Sequence, residues 1–311
     1  MPILVMVCLL VGIFGGYAQG ESQFDVKVLV SDEKGAGVAD AQAEFIWRWS
    51  GLRSEGSGHL KAKTDKTGQA SFTGKTNFKE YAYKASKNGF YPSDAITGVF
   101  DTQSDGKWEP WEKELKVILR PVKKPVPMYV KTIQGQLPMP GQWSGYDLKE
   151  GDWVTPHGQG KVSDIEIKAK GEGVRYENFR GEITLRFPGT GNGILVHTPS
   201  SHESQSTYTW PYEAPVSGYI REMTWKKSRT PNPSGNNKVD HYDEANNPRH
   251  LVIRVRGSLY GKIDPELKLV TGVKGQAFIK FTYYLNPDKT RNLEYDPARN
   301  LFGNSSATYA P

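Results

Sequence analysis

The sequence predicts an all-β fold made of two successive β-rich units. Apolar residues alternate with polar ones in many short runs, which is the pattern of strands that bury one face of a sheet. Glycine and proline, 33 and 20 of the 311 residues, are spread along the chain and mark frequent turns. No run of useful length has the apolar period of an amphipathic helix.

The N-terminal residues are typical of a signal peptide. Residues 3–14 are uncharged and apolar except for Gly12, and Ala18-Gln19-Gly20 has the small-x-small pattern of a cleavage site. The run is shorter than the ~20 apolar residues that cross a bilayer as a helix. We expect residues 1–20 to be removed, no transmembrane segment to remain, and the protein to be exported to the periplasm, cell surface or extracellular space. The alternative is an N-terminus that stays anchored at the membrane interface.

Cysteine content narrows the chemistry of the exported chain. The sole cysteine, Cys8, lies inside the predicted signal peptide. Disulfides, cysteine-zinc sites and cysteine nucleophiles are therefore excluded from the mature protein. An exported protein that relies on its core alone is typical of a bacterial envelope.

The net charge of +6 is unevenly placed along the chain. Residues 21–121 hold 15 basic and 15 acidic side chains, whereas residues 122–311 hold 25 and 19. An excess spread over such a length is typical of a solvated surface, and the alternative is attraction to acidic glycans or an anionic membrane face. No dense basic run or recognised motif points to nucleic acid as a partner.

The first unit, residues 21–121, shows the alternation most clearly. Residues 25–30, 43–49 and 115–119 alternate strictly and predict antiparallel strands. Turn sequences separate the runs, such as Thr64-Asp65-Lys66-Thr67-Gly68, where Asp and Gly tolerate left-handed backbone.

Three motifs of this unit together resemble the carboxypeptidase regulatory-like domain. They are Gly35-Ala36-Gly37-Val38-Ala39-Asp40-Ala41, then Thr64-Asp65-x-x-Gly68-x-Ala70-x-Phe72, then Ala85-Ser86-Lys87-Asn88-Gly89-Phe90-Tyr91-Pro92. The resemblance implies a transthyretin-like, Greek-key β-sandwich of the carbohydrate-binding-like group, an accessory module without peptidase activity. Residues 46–60 and 101–112 depart from the family pattern and are expected to lengthen two connections.

Proline-rich residues 122–127 are predicted to form a linker, because proline lacks the N–H needed to continue a ladder. The alternative is a crossover inside one larger domain. Beyond it, residues 128–311 form the second unit, expected to be a sandwich or jelly-roll-like pair of antiparallel layers. Alternating runs at 165–169, 183–187, 251–255 and 277–283 support it, and the polar segments 197–209 and 226–250 read as long loops.

Aromatic residues of the second unit are candidates for ligand contact. A flat indole face stacks on the apolar face of a sugar ring, and Trp143, Trp210 with Tyr212, and Trp225 lie near polar residues. The alternative is that these large side chains fill the ends of a sandwich core.

Asp240, His241 and Asp243 form a second candidate cluster. The carboxylate oxygens of Asp240 and Asp243 suit calcium, and His241 with Asp243 could act as a general base and the group that orients it. The alternative is an ordinary solvated loop, which has the same composition. The His-Glu-x-x-His and Gly-x-Ser-x-Gly motifs are missing, so no catalytic residue, metal site or cofactor is assigned.

The sequence therefore favours an exported, non-enzymatic envelope protein that binds or docks, with a glycan or an envelope protein as partner and glycan binding favoured. The alternative is a hydrolase of polysaccharides that uses paired carboxylates such as Glu213, Asp240 and Asp243, with the first unit as accessory. Self-assembly through strand edges is a third hypothesis.

Overall fold

A computed structural model shows a chain built almost entirely of strands, which confirms the predicted all-β class. It describes residues 21–50, 55–174, 178–231, 239–243, 250–263, 268–270 and 278–303, with the backbone only at 174, 229, 231, 239–243 and 268–270. The predicted signal peptide lies outside the described residues. The chain divides into two compact units, one ending at Arg120 and one beginning at Pro121.

The first unit is a two-layer β-sandwich. One sheet has the order β6-β10-β1-β9-β8, with β4 also on β1, and the other has the order β3-β2-β5-β7. Their facing sides bury one apolar core that includes Val26, Val28, Phe45 and Tyr83. The strands are β1 (Ser22–Asp32), β2 (Gln42–Ser50), β3 (Glu55–Lys63), β4 (Gln69–Thr76), β5 (Glu80–Ser86), β6 (Phe90–Tyr91), β7 (Ile96–Val99), β8 (Thr102–Ser104), β9 (Lys107–Glu109) and β10 (Lys113–Pro121).

The expectation of purely antiparallel pairing in this unit was wrong for its first strand. β1 pairs antiparallel with β4 but parallel with β10, with Val28 opposite Ala70 on one side and Leu115 on the other. Alternation reports which face of a strand is buried and is the same for either direction of the neighbour, so it could not reveal this.

The two segments expected to lengthen connections form strands instead. Described residues of the first build the hairpin β2–β3, in which Trp47 lies opposite Gly58 and Trp49 opposite Gly56. The second contains the small hairpin β8–β9. Each glycine leaves the space that the opposite indole ring occupies, since a Cβ on Gly58 would overlap the Trp47 ring.

Strand β7 is at the end of its sheet, and a lysine covers part of its outer edge. The Lys113 ammonium donates to the carbonyl oxygen of Val99 at 2.9 Å and lies 3.3 Å from an Asp101 carboxylate oxygen. A backbone acceptor that would otherwise face solvent is therefore occupied.

The second unit also consists of two stacked sheets. One has the order β16-β19-β20-β22-β11-β23, with β21 on β22, and the other has the order β13-β12-β14-β15-β17-β18. Ile167, Ile183 and Trp225 of one sheet share a core with Ile253 and Phe281 of the other. The elements are β11 (Val126–Gln136), β12 (Ser144–Asp147), β13 (Asp152–Trp153), β14 (Ile165–Val174), β15 (Asn178–Arg186), β16 (Gly193–His197), α1 (Ser201–Ser204), β17 (Glu222–Pro231), β18 (Val239–Asp243), β19 (His250–Val255), β20 (Leu259–Ile263), β21 (Lys268–Val270), β22 (Phe278–Asn286) and β23 (Tyr295–Asn300).

Strand β11 begins at Val126, within the proposed linker, so only residues 122–125 lie between β10 and β11. The polar segment 226–250 also differs from the predicted loop. β17 continues to Pro231 and pairs with β18, with Lys227 opposite Asp243. Strands composed of polar residues carry no apolar alternation, which is why the pattern missed them.

Residues 198–221, the cover segment, lie over the face of the β19–β20–β22 sheet that points away from the shared core. The segment begins with α1, whose Ser200 and Glu203 form a capping box. It contacts the sheet through Thr209, whose hydroxyl lies 2.6 Å from His250 Nε2, and through the fully buried Tyr208. The sheet is thus buried on both sides at this place.

An arginine fastens the loop that follows β12. Arg256 donates from Nη2 to Asp147 at 2.6 Å and from Nε to Asp164 at 2.8 Å. Burial alone would raise the pKa of Asp147, but hydrogen bonds from the N–H groups of Val162, Glu150 and Lys161, together with Arg256, outweigh it and lower that pKa. Asp147 is therefore held charged, whereas burial raises the pKa of Asp164 in spite of its hydrogen bonds to Arg256.

Candidate functional site

The outward side of the second unit's β14, β15 and β17 carries the densest arrangement of accessible charged side chains that we find. Ile165, Ile167 and Ala169 of β14 point into the core, so the residues between them point out. The same alternation holds on β15 and β17. We call this surface the charged face; it consists of Glu166, Lys168, Lys170, Glu172, Arg180, Glu182, Thr184, Arg186, Glu222, Thr224, Lys226 and Ser228.

Trp143 lies at one end of the charged face. It directly precedes β12, whose Ser144 is opposite Ile167, so the indole comes next to Lys168. The ring is half-buried, with the Lys168 ammonium 4.7 Å and the Arg186 guanidinium carbon 3.9 Å from the ring centroid. Arg186 is itself held by Glu166, from Nε to the carboxylate at 2.5 Å. This indole is therefore fixed in place, with cationic groups beside it.

A groove of about 470 Å³ occupies the other end of the charged face. Lys170, Arg180, Lys226 and Lys227 line it together with Glu172 and Glu182. Gly171 and Gly181, opposite each other in the register, form part of its wall, and the Phe179 ring occupies the space beside Gly181 on the other side of the sheet.

Acidic and basic side chains alternate across the strands that form the groove. Glu182 lies between Lys170 and Lys226 in the cross-strand register, and the Lys170 ammonium is 3.3 Å from it. Arg180 lies between Glu172 and Ser228, is exposed, and makes no ion pair among the described residues. Three basic side chains of the charged face thus alternate with two acidic ones in the groove, whereas Lys227, opposite Gly181, points to the same side of the sheet as Trp225.

A second cluster lies beneath the cover segment and is closed to solvent. Lys262 is fully buried, and its ammonium lies 4.8 Å from the ring centroid of Tyr284, 4.9 Å from that of Tyr208 and 5.4 Å from that of Trp210. Three aromatic rings around one cation compensate part of its lost hydration. The cluster joins the cover segment to the sheet, and burial keeps it from a dissolved ligand.

His250 lies beside this buried lysine. Burial, with a smaller effect from His197, lowers the pKa of His250 to about 4. His197 is 2.9 Å from the Glu203 carboxylate, which also accepts from the Ser200 N–H at 2.8 Å. These groups hold α1 against the end of β16.

Tyr212 lies in a different place, beside a polar pocket of about 360 Å³. Its hydroxyl donates to the Pro121 carbonyl at 2.6 Å, and the Lys123 ammonium lies 3.4 Å from its ring centroid. The hydroxyl of Tyr212 is therefore used within the protein, and a lysine lies over its ring as Lys168 and Arg186 lie over that of Trp143.

The structure does not bring the sequence-predicted site residues together. Trp143 is half-buried on the charged face, whereas Trp225 is 1% exposed in the core of the same sheet and Trp210 is 5% exposed under the cover segment. Trp210 and Trp225 are therefore buried, as in the alternative interpretation that large aromatic side chains fill the core, and neither is exposed to a ligand. Asp240, His241 and Asp243 lie on strand β18 rather than in a loop, and their side chains are outside the described part of the chain.

The described carboxylates give no support to a hydrolytic pair. Glu213 is bound by Arg291 at 2.6 Å, and Asp147 and Asp164 share Arg256. Among the described residues, no group of three or more His, Cys, Asp or Glu side chains is arranged to hold a metal ion.

Sequence reasoning did not single out the groove residues. The signal was present in the run Glu166–Glu172, where every second residue is charged and the intervening ones are apolar or glycine. Their neighbours on β15 and β17 became visible only with the register.

In the described part of the chain, no helix has the length and apolar character needed to cross a membrane. No family model matches the sequence, and no curated protein matches it. Among solved structures, a chlorocatechol 1,2-dioxygenase from Pseudomonas putida is similar with 13% identity, a TM-score of 0.25, and coverage of 33% of this chain and 63% of that one. A fimbrial protein from Actinomyces oris is similar with 10% identity, a TM-score of 0.21, and coverage of 90% of this chain and 53% of that one. The chain thus spans less than two thirds of either protein, and TM-scores below 0.5 carry no conclusion about function.

Proposed function

We propose that this is an exported, non-enzymatic protein of the bacterial envelope whose second unit binds a glycan on the charged face, with Trp143 as the stacking platform. The observation that carries the proposal is the half-buried Trp143 ring at the end of a groove-bearing sheet, with Lys168 and Arg186 over the ring. A sugar that stacks there displaces at least one of these two side chains from the ring. An indole offers an apolar face to a sugar ring, and the neighbouring cations and hydroxyls supply hydrogen bonds.

Export is part of the proposal and rests on the leader-like N-terminus and the lack of cysteine after it. For the first unit we propose an accessory spacer or docking module of the carboxypeptidase regulatory-like kind. Its three motifs and its two-layer sandwich support this assignment.

A glycan array probed with the protein and with Trp143→Ala tests the function. We expect the wild type to bind at least one glycan class and the variant to bind it about tenfold more weakly, because a stacking face is lost. Trp111→Ala is the matched control, since Trp111 is 36% exposed and also has a lysine, Lys107, 4.5 Å from its ring centroid.

Two results would contradict the proposal: no glycan bound by the wild type, or equal loss of binding in both variants. Release of reducing ends during incubation would instead favour the hydrolase alternative.

A further inference from the structure

We infer that Asn88 is a site of spontaneous covalent modification, at which its side-chain amide becomes a carboxylate through a cyclic imide formed with the backbone nitrogen of Gly89. The inference concerns the first unit and is independent of glycan binding. The chain contains two Asn-Gly pairs, Asn88-Gly89 and Asn192-Gly193. Their surroundings differ in the three respects on which this reaction depends: the attacking nitrogen, the amide that it attacks, and the space around them.

The attacking nitrogen is free at the first pair. Asn88 and Gly89 are the central residues of a turn between β5 and β6, which the Phe90 N–H closes by donating to the Lys87 carbonyl at 3.1 Å. Gly89 has a φ of 81°, the value that a type II turn needs at this place. Its own N–H makes no hydrogen bond among the described residues. The nitrogen can therefore lose its proton to a base in solution and attack without breaking a hydrogen bond.

The corresponding nitrogen of the second pair belongs to a sheet. Gly193 is the first residue of β16 and pairs with Arg254 of β19. Since Ile194 directs its N–H to Ile220 on the opposite side, the N–H of Gly193 points toward β19. Attack by this nitrogen would require the sheet to open locally first.

The side-chain amides differ in the same sense. Asn88 is exposed, and its side chain makes no hydrogen bond among the described residues. The Asn192 amide is held at both ends, because its Nδ2 donates to the Pro188 carbonyl and its Oδ1 accepts from the Gly257 N–H at 2.8 Å. The amide of Asn88 can thus rotate toward the next nitrogen along the chain, whereas that of Asn192 is fixed.

The space around the two pairs points the same way. A Cβ added to Gly89 would have no heavy atom within 4 Å apart from its chain neighbours. A Cβ added to Gly193 would lie 2.6 Å from the carbonyl oxygen of Ile220. A ring therefore has room to form at the first pair, but at the second it would have to displace neighbouring backbone.

The reaction balances with water as the co-reactant. The Gly89 nitrogen bonds to Cγ of Asn88, and the side-chain nitrogen leaves as ammonia, which gives a five-membered imide. Water then opens the ring at either carbonyl carbon, so the product is aspartate or its isomer in which the backbone runs through the side chain. Either product adds one negative charge to residues 21–121, whose 15 basic and 15 acidic side chains otherwise balance.

Incubation of the folded protein in warm, mildly alkaline buffer, followed by peptide mapping with mass spectrometry, tests the inference. We expect Asn88 to be converted about tenfold faster than Asn192, whose amide must first lose two hydrogen bonds. In urea the two sites should react at similar rates, because the folded structure is what distinguishes them.

Asn88→Gln is the control variant. It keeps an amide at the same exposed position but would need a larger, six-membered ring, so the acidic form seen by ion-exchange chromatography should no longer accumulate. Three results would overturn the inference. They are a reaction at Asn88 no faster than at Asn192 in the folded protein, a difference between the two sites that persists in urea, and an acidic form that accumulates equally in Asn88→Gln.

Discussion

His250 shows how burial changes the chemistry of a side chain. It faces Thr209 and Trp210 of the cover segment, His197 of β16 and Lys262 of β20. A proton on this imidazole would join a buried ammonium in a site of low polarity, which is why the neutral form is favoured.

Acid should therefore destabilise the second unit through His250. With a pKa of about 4 in the folded state and 6.5 when unfolded, the unfolded chain binds the proton first as pH falls from 6.5 to 4. We expect the free energy of unfolding to fall across that range, and His250→Gln to flatten the fall. Denaturant titrations at several pH values measure it, with exposed His157→Gln as control. If the free energy of unfolding falls equally with pH in the wild type and in His250→Gln, His250 is not the group responsible.

Loss of Arg256 should be costly for the second unit. Asp164 has no exposed side-chain surface and Asp147 has 2%, so removal of the guanidinium leaves two buried carboxyl groups with only their bonds from backbone N–H groups. We expect Arg256→Ala to lower the free energy of unfolding by about 3–5 kcal/mol. Arg256→Lys keeps the charge but cannot bind both carboxylates in the same geometry. Its free energy of unfolding should therefore lie between those of the wild type and Arg256→Ala. A loss below about 1 kcal/mol for Arg256→Ala would show that the pair is not buried in solution.

At the scale of elements, the β2–β3 hairpin depends on pairs of one indole and one glycine. A side chain on Gly58 would overlap Trp47, whose Nε1 donates to the Lys75 carbonyl at 3.0 Å and so resists movement. On Gly56 the nearest Trp49 atom would be 2.8 Å away.

We expect Gly58→Ala to destabilise the first unit by about 1–3 kcal/mol and Gly56→Ala to cost less, because the overlap is smaller. Thermal unfolding followed by tryptophan fluorescence measures both. If Gly56→Ala were more destabilising than Gly58→Ala, the indole rings would be displaced without cost.

The hairpins also show what alternation can and cannot predict. Val26, Val28 and Val30 were correctly expected to share a buried face, because period two determines the face. The parallel partner of β1 was not predictable, since strand direction depends on the path of the whole chain. The polar strand β18 gave no apolar signal at all.

Prediction of the site was weaker than prediction of the fold, for a related reason. Trp143 and Trp225 lie on one sheet, yet only the register shows that one faces outward and the other inward. Burial of Lys262 depends on a cover segment that is distant in sequence, so no local pattern could indicate it. Composition supplied candidates, and strand pairing selected among them.

At the scale of the whole molecule, the two units have separate cores. Phe45 lies in the core of the first, and Ile253 in that of the second. We expect two unfolding transitions. Phe45→Ala should lower the free energy of unfolding of the first unit by about 3–5 kcal/mol, and Ile253→Ala should lower that of the second by about 2–5 kcal/mol. Scanning calorimetry resolves them. A single transition shifted by both variants would show that the units unfold together.

Lys113 at the edge of β7 has a consequence for how copies of the protein behave in concentrated solution. Its ammonium occupies the Val99 carbonyl, which a strand from another molecule would need for pairing. Acetylation of this amine would remove its charge and weaken its hold on that oxygen. We therefore expect the acetylated protein to pair edge to edge more readily than the unmodified one.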